Sequence, residues 1–578
     1  MQSNRLSEFQ KPQAPGEHKA IDMQKALSRT EDDIKENPKN FWKFVNSKKS
    51  HGVGVAEYVK LDSKVAHSKD DAVELFDEYF QSVYEKSDDD LQSNNVSTWN
   101  SLSISMDEIQ VKLKNLCIDK AKSPDGIPPI FYKRCATVLT FPIFLIFNRS
   151  LETGVFPTLW KHADVAVIHK SGSANDVKNY RPISKLSIIA KIFDSILADE
   201  VFKRFKKVII PQQHGFFKKR STVTNLVSYT KKLQRAIDDS NQVDSIYTDF
   251  SKAFDKVSPT RLLQKLEAFG IAGKMLEWFK SYITRRHQRV QIGECFSKSF
   301  EVLSSVAQGS HLGPLLFSLY INDIGEIMQE IDFCLYADDL KMQKCIESVE
   351  DAHHLQASLD RLQVYVKENQ LQLNVKKCVI TSFTTKTSSA ILHPYAIDGE
   401  ILCRKREVRD VGITFDSKLK FNHHVEKICS KARQMYGFIT RVEKEFKKPE
   451  TMKLLYCSLV LAILKAIEKI LNLETLEMRR VVADVKFTIN SFNDVVDSQT
   501  FIHHFNFNVP ERSTRNFQVF RTKSSKKEIG ISSVTNRLMS SFNKFCGDSD
   551  LLLHRKCSKC IKTITKAKFI TQKLLQTI

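Results

Sequence analysis

Three aspartates carry the strongest chemical signal in this chain. Asp338 and Asp339 stand side by side in FCLYADDLKM (333–342), between the apolar run Phe333, Cys334, Leu335, Tyr336 and the apolar Leu340 and Met342. Asp249 lies upstream in SIYTDFSKAFDKV (245–257), at the end of the strand-like run Ile246, Tyr247. Charge placed against a core is costly unless something compensates it. Divalent cations do so, because hard ions prefer carboxylate oxygens. An acid at a strand's end and an acidic pair in a turn are what a two-metal site uses. Two cations roughly 4 Å apart clamp an in-line phosphoryl displacement, one favouring the attacking hydroxyl as alkoxide and the other stabilising the leaving oxygen.

Elements must position these groups. If Phe333–Tyr336 and Leu340–Met342 are hairpin arms, Ala337–Asp339 form the tight end. Successive extended residues point to opposite sides, so only one aspartate of the pair faces Asp249 squarely. An ordinary Asp-rich turn is the plainer alternative. After Asp249, Phe250, Ala253, Phe254 and Val257 follow at helical spacing. SVAQGSHLGPLLFSLYINDI (305–324) joins a loop to a helix: Gly309 allows close backbone approach, Pro314 suits a first helical turn, and Leu315, Leu316, Leu319 and Tyr320 make a buried face. Gln308 could hydrogen-bond a nucleotide or template, or simply sit in a loop before a core helix.

Elsewhere, 71–86, 186–205 and 262–271 have helical periodicity, VAVIHK (165–170) reads as a strand, and FWKFV after Pro38 suggests a short helix. Residues 1–40 look like a loose lead-in, 87–101 like a linker, and 425–470 like helices. The mixture implies an α+β or α/β catalytic body. The 578 residues exceed one ordinary domain. A net charge of +21 points to a polyanionic partner, nucleic acid or an acidic membrane surface. The stretch 521–578 has 13 Lys and Arg against 3 Asp and Glu, either a solvated end or a salt-sensitive, sequence-independent phosphate contact. Twelve scattered cysteines form no disulfide-like framework, residues 1–30 hold no apolar signal region, and no apolar run has transmembrane length. These features predict an intracellular protein with reduced thiols. Cys546, His554, Cys557 and Cys560 give a weak zinc signal.

Seven stretches in order, NYRPISKLS (179–187), QHGFFKKRST (213–222), YTDFSKAFD (247–255), AQGSHLGPLLFSLYIND (307–323), YADD (336–339), LNVKKC (373–378) and VGITFD (411–416), closely resemble the reverse transcriptase of non-LTR, LINE-type retrotransposons. The jockey-like elements of insects look nearest. KAKSPDGIP (120–128), NPKNFW (37–42) and LYCSLV (455–460) fit as well. The resemblance implies an α+β right-hand polymerase of fingers, palm and thumb, with a helical N-terminal extension and a basic C-terminal one. Its parts would be 1–100 (extension and linker), 101–345 (fingers and palm), 346–470 (end of palm and helical thumb) and 471–578 (basic region). It implies RNA-directed DNA polymerase activity with dNTPs and two Mg²⁺ ions, for which Mn²⁺ can substitute.

Carried over residue by residue, Asp249 and Asp338 would ligate both metals, the Phe250 carbonyl would assist, and Asp339 would have a weaker direct role. Phe254 falls where the family senses the ribose, unless it is a plain core helix residue. Gln308 and Gly309 would line the nucleotide pocket, and Arg181 and Lys170 would contact the triphosphate. Lys377 could protonate the leaving pyrophosphate or be solvated surface. Asp255 reads as a structural helix-start residue. The partners implied are an RNA template, a DNA primer or target, and element RNA in a ribonucleoprotein, with no membrane. The work is placed in the nucleus after a cytoplasmic ribonucleoprotein stage. The family's endonuclease domain has no room before residue 37, so the nick would come from another protein.

The chain departs from the family at SVAQG (usually GVPQG), at GFFKKRST (usually GFRKGRST) and at DVG (410–412, usually YLG in the primer-grip region). After LYCSLV it continues LAILKAIEKILNLETLEMRR in place of an aromatic-rich helix. These departures fit a truncated or partly decayed copy that keeps its metal ligands. The competing class is a non-catalytic nucleic-acid-binding relic; a palm-fold nucleotidyl cyclase is disfavoured by Gln308–Gly309.

Overall fold

The structure, a computed structural model, describes residues 29–37, 40–48, 55–85, 99–118, 123–385, 390–443, 446, 449–460 and 534–545, with isolated positions between 484 and 520. Cys546, His554, Cys557, Cys560 and the basic stretch beyond 545 lie outside the described residues, as does 461–480. The chain forms two compact units, one of residues 55–420 and 484–568, the other of 1–54, 421–483 and 569–578. The larger mixes helices with two five-stranded sheets and is of α+β class.

In chain order its strands are β1 (Val59–Leu61), β2 (Lys64–Ala66), β3 (His162–His169), β4 (Tyr180–Lys185), β5 (Gln242–Thr248), β6 (Arg286–Ile292), β7 (Cys295–Phe296), β8 (Phe300–Val302), β9 (Asp332–Tyr336), β10 (Asp339–Ile346) and β11 (Val379–Phe383). The short β12 (Ala396–Ile397), β13 (Glu400–Ile401), β14 (Cys403–Arg404), β15 (Glu407–Asp410) and β16 (Ile413–Asp416) follow. One sheet has the order β14-β11-β5-β10-β9, with β5 antiparallel to both β10 and β11. Central β5 is buried along nearly its whole length, so its QVDSIYT reads as a run without clean alternation. The helix Leu312–Tyr320, buried all round, and the leucines 355, 359 and 362 of helix Val349–Glu368 belong to the same apolar core. The other sheet joins β4-β3-β6-β7, with β8 on β6. It is covered by helix Lys69–Gln81, whose Phe76 packs edge-on against Tyr180, 5.0 Å between centroids. Ser68 caps that helix by accepting from the Asp71 N–H at 3.0 Å.

The smaller unit is helical where described: 29–36, Asn40–Lys48, Asn422–Glu443 and Pro449–Leu455. The segment read as a loose lead-in therefore contributes a helix. Ile34 and Phe41 join Ile439, Leu455 and Tyr456 in one apolar cluster, and Trp42 stacks on Phe438 at 5.9 Å. Helix 29–36 is legible only with its partners, because its apolar side is supplied by residues from the far part of the chain.

A second difference lies after Asp249. Residues 251–256 are successive turns, and the next helix begins at Pro259, with Ser258 as its cap. Lys252 has φ 53°, which no α-helix admits. The apolar spacing nonetheless buries Phe250, Ala253 and Val257: repeated turns share enough of the helical period to imitate it. Asp255 is accordingly no helix-start residue.

Candidate active site

Asp249 follows the last residue of β5, and Asp338 lies in the turn between β9 and β10. Because Leu340 pairs with Thr248, both acids fall at the same end of adjacent strands. The hairpin is tighter than the sequence suggests: Asp339 already pairs with Tyr336, so the turn is Ala337 and Asp338 alone. Ala337 takes φ 60°, the left-handed conformation that a two-residue hairpin demands at its first position. Burial, then the charge of Asp249, holds the Asp338 carboxyl above the usual carboxylate range, while Lys170 and Arg181 pull it down. Asp339, exposed at the start of β10, is pushed up to about 6 by partial desolvation and by the charges of Asp338, Asp410 and Asp249.

The Asp249 carbonyl accepts from the Asn374 N–H at 2.7 Å, Phe250 bridges to Leu373, and Lys377 Nζ lies 3.3 Å from Asp249 Oδ2. Lys170 and Arg181 sit at the loop end of the β3–β4 hairpin, where the Lys170 N–H donates to the Asn179 carbonyl. Among the described residues no three carboxylate, thiol or imidazole groups enclose a single ion. The donor set nevertheless fits divalent cations. Two hard carboxylates are held beside each other against their mutual repulsion, and a cation relieves that repulsion.

Gln308 and Gly309 close another wall. The Gln308 carbonyl accepts from the Ser184 N–H of β4 at 2.8 Å, and its Nε2 donates to Asp255 Oδ1 at 2.6 Å. Gly309 has φ 118°, and a Cβ there would fall 2.6 Å from the Ser184 carbonyl oxygen. Phe254 stacks on Phe317 at 4.4 Å and meets the edge of Phe216 at 5.8 Å. Burial pushes the Asp255 carboxyl up to about 6, against the Gln308 hydrogen bond and the charges of Lys252 and Arg181.

That shift fixes a sign. An acid whose folded pKa is raised binds more protons folded than unfolded, so stability falls as pH rises through the window between its unfolded value near 3.8 and about 6. Asp255→Asn removes this loss yet can still accept from Gln308. Thermal midpoints measured from pH 4 to 7 should shift progressively in favour of the variant; a constant difference refutes the assignment.

The departure at Ser305 has a structural consequence. Ser305 is buried with φ 109°, and its N–H donates to the Val257 carbonyl. Such a conformation costs a non-glycine residue about 1–3 kcal/mol. Ser305→Gly is expected to raise stability in denaturant by about 1 kcal/mol, the strain relieved less the entropy glycine loses on folding; a fall would show that the serine hydroxyl matters more.

The sequence alone assigns no role to Gln213 and Gly215 of QHGFFKKRST or to Asn225 three residues beyond it, yet these residues hold the acidic turn. Gln213 is buried; its Oε1 accepts from the Ala337 N–H at 2.9 Å and the Gly215 N–H at 2.7 Å, and its Nε2 donates to the Ala337 carbonyl at 3.2 Å. The Leu335 carbonyl accepts from the His214 N–H and from Asn225 Nδ2. A Cβ on Gly215 would fall 2.1 Å from the Ala337 nitrogen. The glycine directly after two polar residues, Gln213 and His214, was the available signal, but its partner lies far along the chain. Gln213→Leu is expected to lower the turnover rate about 10–100-fold, as loss of an outer-layer partner does, with nucleotide KM little changed. A change confined to KM would refute this positioning role.

Strand-end acids, an opposing pair of cations and a Gln–Gly wall are features of a nucleotidyl-transfer site, and similarity to known proteins agrees. The sequence pattern of the family described as reverse transcriptase (RNA-dependent DNA polymerase) matches residues 168–445, and the chain carries a reverse transcriptase domain. Among curated relatives, the "Probable RNA-directed DNA polymerase from transposon BS" of Drosophila melanogaster is 28% identical over 61% of this chain and 40% of its own length. The "RNA-directed DNA polymerase from mobile element jockey" of the same species is 27% identical over 56% of this chain and 36% of its own. The chain thus matches about two-fifths of the length of these relatives.

Proposed function

We propose that this chain is an RNA-directed DNA polymerase of a non-LTR retrotransposon, extending a DNA 3′-OH along an RNA template with dNTPs. The observation that carries the reading is the meeting of Asp249 and Asp338 at one end of β5 and the β9–β10 hairpin, with Lys170 and Arg181 acting on the same carboxyl. In this reading the sheet containing β5 and β10 is the palm, the β3–β4–β6 sheet belongs to the fingers, and the helices from Asn422 form the thumb.

Bound divalent cations, Mg²⁺ or Mn²⁺, would supply charge for the attacking and leaving oxygens. Asp249, Asp338 and the Phe250 carbonyl would hold them, with Asp339 as a weaker neighbour. Arg181 and Lys170 bind the triphosphate, Gln308 and Gly309 border the nucleotide, and Phe254 crowds a 2′-OH. Lys377, now paired with Asp249, donates a proton to the pyrophosphate. We place the work in the nucleus, on DNA ends, with element RNA bound in a ribonucleoprotein.

Primer extension on an RNA template tests the reading. Metal-dependent incorporation of dNTPs by the wild type is expected. A folded wild type that binds RNA but incorporates nothing overturns it and favours a non-catalytic binding protein.

A further inference from the structure

Phe216 is held in a conformation that its own packing does not explain. Its φ is 56°, where a bulky aromatic residue is a genuine outlier, at a cost of about 1–3 kcal/mol. Its side chain is no core anchor, since the residue is 52% exposed. The adjacent Phe217 is the inward-facing one, packed edge-on against Phe202 at 5.0 Å and beneath the Arg220 guanidinium at 3.8 Å.

The position of Phe216 is fixed from both sides. Gly215 lies against the Ala337 nitrogen of the acidic turn, and Gln213 ties the same turn by its side-chain amide. Arg220 Nη1 donates to the carbonyls of Ile210 and Gln213 and so braces the approach to Gly215. On its other side the Phe216 ring stands nearly perpendicular to Phe254, with 81° between their planes. Phe254 is stacked in turn on Phe317, 20° from parallel. Three rings thus run from the helix Leu312–Tyr320 to the exposed edge beside the acids, and Phe216 is the outermost.

We propose that Phe216 is a specificity-determining residue for 2′-deoxynucleoside triphosphates. Resting on the polymerase reading above, it stops the Phe254 ring from swinging outward and adds apolar surface where the sugar's C2′ would lie. A hydrogen at C2′ loses nothing against this wall. A hydroxyl is stripped of water with no partner to accept its hydrogen bond, which disfavours the ribonucleotide. Backbone strain at Phe216 is then maintained because the site requires the ring there.

The test compares dNTP and rNTP incorporation by wild type, Phe216→Ala and Phe216→Leu in primer extension, with thermal midpoints measured in parallel. Leucine keeps apolar bulk but has no ring. Both variants are expected to fold, to retain dNTP turnover within a few-fold, and to raise the ratio of rNTP to dNTP kcat/KM by about 10-fold, alanine more than leucine. A ratio unchanged within about two-fold while wild type and variants polymerise overturns the proposal and leaves the polymerase reading intact. An inert wild type overturns both. Variants that fold but cannot polymerise, or that both fail to fold, overturn it too, since the ring would then serve the chemical step or the fold.

Discussion

Asp338→Asn should abolish nucleotide incorporation while leaving the protein at least as stable as the wild type. Asparagine keeps the shape of the side chain and one acceptor oxygen but removes the charge that a divalent cation requires. Loss of an outer-layer residue around such a site costs about 10–100-fold; loss of a ligand should cost more, at least ~10³-fold in single-turnover primer extension. The stability half has the opposite sign because the Asp338 carboxyl is already strained upward by burial and by Asp249. Neutralising it removes a repulsion that metal-free protein must bear. A thermal midpoint equal to or above wild type, with incorporation gone, is the expected pair of results. A variant keeping more than about a tenth of the wild-type rate would remove Asp338 from the chemistry, since even outer-layer losses reach that size.

Lys341→Met is expected to destabilise the protein by about 3–5 kcal/mol in chemical denaturation, the cost of stranding one member of a buried ion pair. Lys341, on β10 two residues after Asp339, is paired with Asp410 of β15, and their side chains are only 3% and 6% exposed. The ammonium also lies 4.5 Å from the centre of the Tyr229 ring, whose hydroxyl is bonded to that of Tyr247. Removing the lysine leaves a carboxylate in an apolar site. The double variant Lys341→Met, Asp410→Leu should recover most of the loss, because replacing both partners with apolar groups is commonly neutral or stabilising. Single variants that cost under about 1 kcal/mol, the range of exposed pairs, would mean that water reaches the pair. This pair also gives a structural reason for DVG at 410–412: the aspartate there answers a lysine in the acidic hairpin.

How much of this could be read beforehand depended on the range of each interaction. The hairpin around Asp338 and the strand before Asp249 announce themselves locally, by apolar runs ending in acids. Helix Lys69–Gln81 carries its own periodicity and its Ser68 cap. The turns at 251–256 did not, because buried residues in repeated turns imitate a helical period and only backbone dihedrals separate the two. The clamp by Gln213 and the pairing of Lys341 with Asp410 join residues 124 and 69 positions apart, and no local pattern marks either partner. Ser305 was visible as a departure, but that it occupies a positive φ required the structure.

The smaller unit has a consequence for the order in which the protein is made. Its helix Asn40–Lys48 leaves the ribosome well before Asn422–Glu443, so Phe41 and Trp42 find Phe438 and Ile439 only after the intervening chain has been synthesised. Domains fold largely as they emerge, so the larger unit's segment 55–420 can assemble while these two aromatic rings are still without partners. During translation the nascent chain therefore carries an uncovered apolar anchor, a target for chaperones until the Asn422–Glu443 helix arrives to cover it.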